Sequence, residues 1–158
     1  MFNHEPPNYV CDFCTVAAGK DNEHNKVQDI VFQNEFATAF VAPKWWVNNH
    51  GNVLVIPNKH YENIYDISDE AISEVYKVVK KVSIAIRSTY ECEGTSTRQH
   101  NEPAGNQVIW HLHVHVFPRY KGDKLYENHN QKRFVSEEER LPYAEKLREY
   151  FAANSPNK

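Results

Sequence analysis

Three histidines alternate with apolar residues at His111-Leu112-His113-Val114-His115, in a chain of 158 residues. Alternation of this kind fits a β-strand, in which side chains two positions apart share a face. A strand over 107–117 turns Leu112, Val114 and Val116 to one side, with Trp110 beside them. His111, His113 and His115 turn to the other, joined by Gln107 and Ile109. One face reads as core and the other as a row of imidazoles.

Three chemistries are open to such a row. It can be a solvated strand face that is merely rich in histidine. It can hold a metal: same-face neighbours sit about 7 Å apart and the outer pair about 13 Å. Two adjacent imidazoles could then share a zinc, but three on one straight strand could not easily do so. In the third chemistry the middle imidazole attacks phosphorus. A neutral imidazole is a capable nucleophile when its other nitrogen is held by an acceptor. Flanking imidazoles and amide donors then stabilise charge on the phosphoryl oxygens. The strand spacing favours this third chemistry, with His113 as the reacting group.

The elements that must position the row are readable in outline. Residues 28–33 and 36–42 are β-rich and closely spaced, which predicts a hairpin. Pro43 and the pair Trp45-Trp46 follow as a connection, and the apolar run 52–57, ended by Pro57, predicts a buried strand. Ser68 is placed to cap a long helix, with Asp69 and Glu70 at its positive end. Val75, Val78, Val79, Val82 and Ile86 then recur at three- and four-residue intervals and give it one apolar face. Residues 95–99 are polar and β-compatible, 101–106 read as a loop, and 121–135 read as exposed loop. A closing helix is predicted over 137–151, with Leu141, Ala144, Leu147 and Phe151 on one side. Together these predict an α+β fold: a mainly antiparallel sheet of about five strands, one long helix and shorter helices.

Composition narrows the function classes. The chain is 41% hydrophobic and 25% charged, which predicts one globular domain over 1–158 without disulfide staples. A net charge of −3 gives no global attraction to nucleic acid. No apolar run approaches membrane-spanning length, and the polar N-terminus lacks the apolar core of a signal peptide. Three cysteines do not make a secreted disulfide framework, so a cytoplasmic setting is expected. Cys11-Asp-Phe-Cys14 is by itself a modest metal signal, because a zinc site needs about four ligands.

The run His111-Leu-His-Val-His-Val-Phe117 resembles the His-φ-His-φ-His-φ-φ signature of the histidine-triad (HIT) family, where φ is apolar. Ala104-Gly105 and Gln107 before it, and Pro118-Arg119 after it, agree. So do the strand-proline-histidine element Leu54-Val-Ile-Pro-Asn-Lys-His60 and the cysteine pair, which is similar to that of many microbial members. The likeness spans about 11–120, leaving about 136–151 as a C-terminal helical extension.

The resemblance implies an α+β HIT-like fold, a homodimer and a nucleotide hydrolase or nucleotidyl transferase. His113 would attack the α-phosphorus and form a covalent nucleotidyl-histidine. His115 would bind the phosphate and His111 would orient its neighbour. Gln107 and Asn101 fall at phosphate-side positions. Substrates across the family include dinucleoside polyphosphates, adenosine phosphoramidates and nucleotide-sugar-like molecules, and no cofactor is needed for the chemistry. The cysteine-bearing branch implies a structural zinc on Cys11, Cys14 and His111. Its usual fourth ligand position is Asn52 here, which leaves His50, His60 or a water to complete the shell. Two further departures stand out. Val108 replaces a hydroxyl residue that can assist the leaving group, and Ala42 replaces an aspartate that binds ribose. These departures keep open a second class, a nucleotide-binding regulatory or scaffold protein with little catalysis. A DNA-repair deadenylase of the same fold is disfavoured, since no appended finger or basic patch is evident.

Overall fold

The structure, a computed structural model, describes residues 2–154. Its centre is a five-stranded antiparallel sheet in the order β1-β2-β4-β6-β5. These strands are β1 (Ile30–Gln33), β2 (Ala37–Val41), β4 (Val53–Pro57), β5 (Gly94–Gln99) and β6 (Val114–Arg119). Strands β2 and β4 are buried along their whole length, which is why the latter reads as a near-continuous apolar run rather than an alternating one.

Helix α2 (Asp69–Thr89) covers one face. Its Ser68 cap accepts from the Ala71 amide, and Val75, Val78, Val82 and Ile86 bury against Val53, Val55, Val114 and Val116. The opposite face carries Phe40, Leu54 and Ile56, packed under Phe13 and Val16 of the short helix α1 (Asp12–Ala17). No helix among the described residues is long and apolar enough to cross a membrane.

Two expectations are corrected here. Pairing on the histidine strand begins only at Val114, so Gln107 to His113 is not strand. Neighbouring rungs run out at that point. Val55 and Gln99 are the last partners, both opposite Val114, and β4 ends at Pro57, which has no amide hydrogen to offer. The Leu112 amide bonds to the Tyr61 carbonyl at 2.6 Å instead. The stretch 121–135 is not simply exposed loop either. It contains β7 (Lys132–Phe134), which pairs with β3 (Lys44–Trp46) in a separate two-stranded sheet. The turn leading into it is anchored by the buried Asp123, which accepts from Arg119 Nε at 2.7 Å and from Asn49 at 2.8 Å.

Helix α3 (Glu137–Ala153) closes the fold, burying Ala144 and Leu147 as its periodicity predicts. It also buries Arg140, which periodicity does not predict. The Arg140 guanidinium donates twice to Asp29, at 2.8 and 3.0 Å, and once to the Val135 carbonyl. Removing one member of such a buried pair strands the other charge, at a cost of about 3–5 kcal/mol. Asp29→Ala is therefore expected to lower the urea midpoint sharply, whereas Asp29→Leu with Arg140→Met recovers most of the loss. A single-variant cost under about 1 kcal/mol would contradict this account.

Candidate active site and metal centre

Cys11 caps the N-terminus of α1, its Sγ accepting from the Cys14 amide at 3.4 Å. One helical turn thus brings both sulfurs to the same side, and the packing of Phe13 and Val16 fixes that side against the sheet. Two histidines arrive from elsewhere. His111 Nδ1 lies 3.2 Å from Cys11 Sγ and 3.6 Å from Cys14 Sγ, and His60 Nδ1 lies 3.3 Å from Cys14 Sγ. The ligand atoms of all four residues fall within 4.8 Å of one another, close enough to hold a metal ion.

The donor set fits zinc. Bond lengths of about 2.3 Å to sulfur and 2.0 Å to nitrogen imply sulfur–nitrogen edges of roughly 3.6 Å in a tetrahedron. The outer shell is also in place. His111 Nε2–H donates to the Pro57 carbonyl at 3.0 Å, and His60 Nε2 sits 3.1 Å from a Glu5 carboxylate oxygen. Each contact puts the ring proton on Nε2 and leaves Nδ1 as a lone pair toward the sulfurs.

His113 and His115 occupy a different environment. His113 Nδ1–H donates to the His111 carbonyl at 2.7 Å, so its Nε2 is left unprotonated. Burial holds this imidazole down at about 4, against a partial opposing effect of that hydrogen bond, so it is neutral near pH 7. The edge of Phe13 packs against its ring. His115, 5.2 Å away between centroids, stacks on Phe117 and meets the edge of Trp46 at 5.9 Å. Burial, with repulsion from His113, His100 and Arg98, holds it well below the ordinary histidine range.

Both rings line a cleft of about 470 Å³, a size that suits a small-molecule ligand. Phe13, Ala42 and Leu54 form one side of it, and Trp46, Lys132 and Phe134 of the small sheet form another. His111 faces the cysteines and is absent from this lining.

The HIT domain model matches residues 23–122. The chain belongs to the HIT family. It is 36% identical over 114 residues to the protein named hit of Bacillus subtilis, covering 72% of this chain and 74% of that one. Over 109 residues it is 29% identical to an adenosine 5'-monophosphoramidase of Schizosaccharomyces pombe, covering 69% and 74%. A solved HIT-like protein from Bartonella henselae superposes with a TM-score of 0.75 at 26% identity, over 89% of this chain and 97% of its own.

Among the HIT positions read from sequence, the three histidines lie at alternate positions but face two different environments. Gln107 is buried and committed to backbone, donating to Glu62 O at 2.6 Å and Ile109 O at 3.0 Å while accepting from Glu102 N. The Asn101 amide is spent on Ile64 N and Gln99. Neither side chain lines the cleft, whereas His100 and Asn106 do. Val108 lines the cleft and stands 76% exposed, with no hydroxyl to offer a ligand there.

His60, not His50, joins the cysteines, since His50 is stacked on Trp45. Asn52 is fully buried, and its side-chain amide has no partner among the described residues. The two tryptophans differ in role. Trp45 is core, donating to Ala42 O at 2.7 Å, and Trp46 is a cleft wall pinned to His129 O at 3.1 Å.

Sequence reasoning missed Arg98 and Lys132. Arg98 had a signal: it sits directly opposite His115 in the β5–β6 ladder and so shares its face. Lys132 had none, because only tertiary pairing brings β7 over the cleft.

Proposed function

We propose that the protein is a nucleotide hydrolase or nucleotidyl transferase cleaving at the α-phosphate of dinucleoside polyphosphates or related nucleotide conjugates. The observation that carries this reading is the His113 ring, neutral and oriented by the His111 carbonyl, with its free nitrogen in a nucleotide-sized cleft. In the reaction, His113 Nε2 forms a bond to the α-phosphorus while the phosphorus bond to the leaving group breaks. The leaving group departs with the released electron pair and takes up a proton. Water then attacks the nucleotidyl-histidine, releasing the nucleoside monophosphate and restoring the imidazole. His115 is assigned to the phosphoryl oxygens, with His100 and Asn106 placed to assist. Gln107 and Asn101 are assigned to shaping the loop that presents these groups. The monophosphoramidase relative supports the bond class.

Cys11, Cys14, His60 and His111 are assigned to a structural zinc that takes no part in the chemistry. Two copies are proposed to pair as a homodimer.

The experiment is a substrate panel of dinucleoside polyphosphates, phosphoramidates and nucleotide sugars, followed by monophosphate release and by mass spectrometry of quenched enzyme. A protein adduct of one nucleoside monophosphate on His113 is expected. The second reading, a nucleotide-binding scaffold, draws on the commitment of Gln107 and Asn101 to internal bonds. Tight nucleotide binding with neither adduct nor turnover would establish it and overturn the first.

A further inference from the structure

Cations gather at one end of the cleft. On the small sheet, Lys44, Trp46, Lys132 and Phe134 all line the cleft, and Trp46 pairs directly with Lys132. Arg98 approaches from β5, opposite His115. Its guanidinium carbon lies 5.7 Å from the Trp46 ring and 5.1 Å from that of Phe117, and Lys132 Nζ lies 5.2 Å from the Trp46 ring. One indole therefore holds both cations, and the same indole meets His115.

These cations have no anion. Among the described residues, no ion pair joins Arg98, Lys132 or Lys44 to a carboxylate, and neither the Arg98 nor the Lys132 side chain has a hydrogen-bond partner. Among the described residues Asp12 is the one carboxylate lining the cleft, and it lies on α1, the helix that carries Phe13. Burial pushes the Lys132 amine down, and repulsion from Lys44 and Arg98 adds to it. Burial likewise lowers Arg98. A chain with net charge −3 thus gathers three cations along one cleft that also holds its reactive histidines, with Lys132 repelled by both Lys44 and Arg98, an arrangement that a bound anion would relieve.

We infer that Arg98, Lys132 and Lys44 form a second anion subsite, which holds the phosphates of the leaving group beyond the one attacked by His113. This rests on the hydrolase reading and deepens it. It makes the preferred substrates those with a polyphosphate leaving group, over phosphoramidates whose leaving amine carries no phosphate. Aromatic walls keep the cations in place without neutralising them, and His115, beside Arg98, joins this subsite to the reacting phosphorus.

The test has two arms. In the first, Arg98→Gln with Lys132→Gln is compared with wild type on a dinucleoside tetraphosphate and on an adenosine phosphoramidate. The fall in kcat/KM is expected to be at least about tenfold greater for the tetraphosphate, with Arg98→Lys recovering part of it. In the second, binding of inorganic tripolyphosphate is measured directly by calorimetry at two salt concentrations, with thermal melts to verify the fold. Wild type is expected to bind it in a salt-sensitive way, and the double variant to bind it at least tenfold more weakly. Equal losses on both substrates, or tripolyphosphate binding unchanged in the double variant, would overturn the subsite. If tripolyphosphate binds as expected but nothing is turned over, the subsite stands and the hydrolase reading falls.

Discussion

Replacing His113 with alanine is expected to remove turnover, lowering kcat on the order of 10⁴–10⁶-fold, the scale seen when a covalent nucleophile is deleted. No neighbour can substitute. His115 is committed to a stack on Phe117 and its ring centroid lies 5.2 Å from that of His113. His111 points its nitrogens at the cysteines and the Pro57 carbonyl. Alanine also leaves a cavity and an unpaired His111 carbonyl at a nearly buried position. His113→Asn is the sharper variant, because its amide can donate the same hydrogen bond while offering no nucleophile. Its melting temperature is expected within a few degrees of wild type, its nucleotide affinity within about threefold, and its adduct absent. Turnover near the wild-type rate in that variant would refute the mechanism.

The second large effect concerns the metal. Protein purified without added zinc is expected to carry one zinc per chain, and a content near zero would sink the assignment. Stripping the ion leaves two thiols and two imidazoles crowded together in a half-buried cluster. Burial and Cys11 already push the Cys14 thiol up to about 12, so this crowding is relieved by a cation rather than by ionisation alone. Removing an ion present at about 100–1,000 times its Kd is expected to cost about 3–4 kcal/mol, a fall in Tm of roughly 6–16 °C for a chain of this size.

The same ion should also act on rate through geometry. His111 gives Nδ1 to the cluster, Nε2–H to Pro57 and its carbonyl to His113. Loosening the first contact frees the residue that orients the nucleophile. Cys11→Ala is expected to cost about 10–100-fold in kcat, as removal of an orienting partner does elsewhere, with little change in KM. A variant that loses zinc yet keeps full kcat would confine the metal to stability.

How much of this was legible depended on the range of the interaction involved. Helix α2 was readable because its cap, its charged first turn and its apolar spacing are all local. The hairpin of β1 and β2 and the strand ending at Pro57 were readable for the same reason. Strand β6 was read too long at its start. Periodicity in 107–113 continues past the point where partner strands end, and no sequence pattern reports where a neighbour stops. Arg140 and Asp29, 111 positions apart, form a pair that no local pattern contains. Asn101 and Gln107 show the same dependence on range. Residue type and motif position suggested phosphate-side groups, whereas in the fold Gln107 bonds to backbone and Asn101 bonds to the Ile64 amide and the Gln99 side chain.

The sequence alone determined that the imidazole at position 113 stands between two others in a run alternating with apolar residues, whereas its neutrality follows from burial in the fold. It also determined the cysteine spacing that one helical turn converts into two neighbouring sulfurs. Only the tertiary structure decided that the three histidines serve two sites. His111 sits where α1 and the chain after Pro57 converge, and His113 and His115 open onto the cleft. His60 rather than His50 completes the cluster with the cysteines and His111 for the same reason, since His50 is stacked on Trp45. Such choices depend on which distant surfaces meet, and that is settled by burial across the whole chain rather than by any stretch of it.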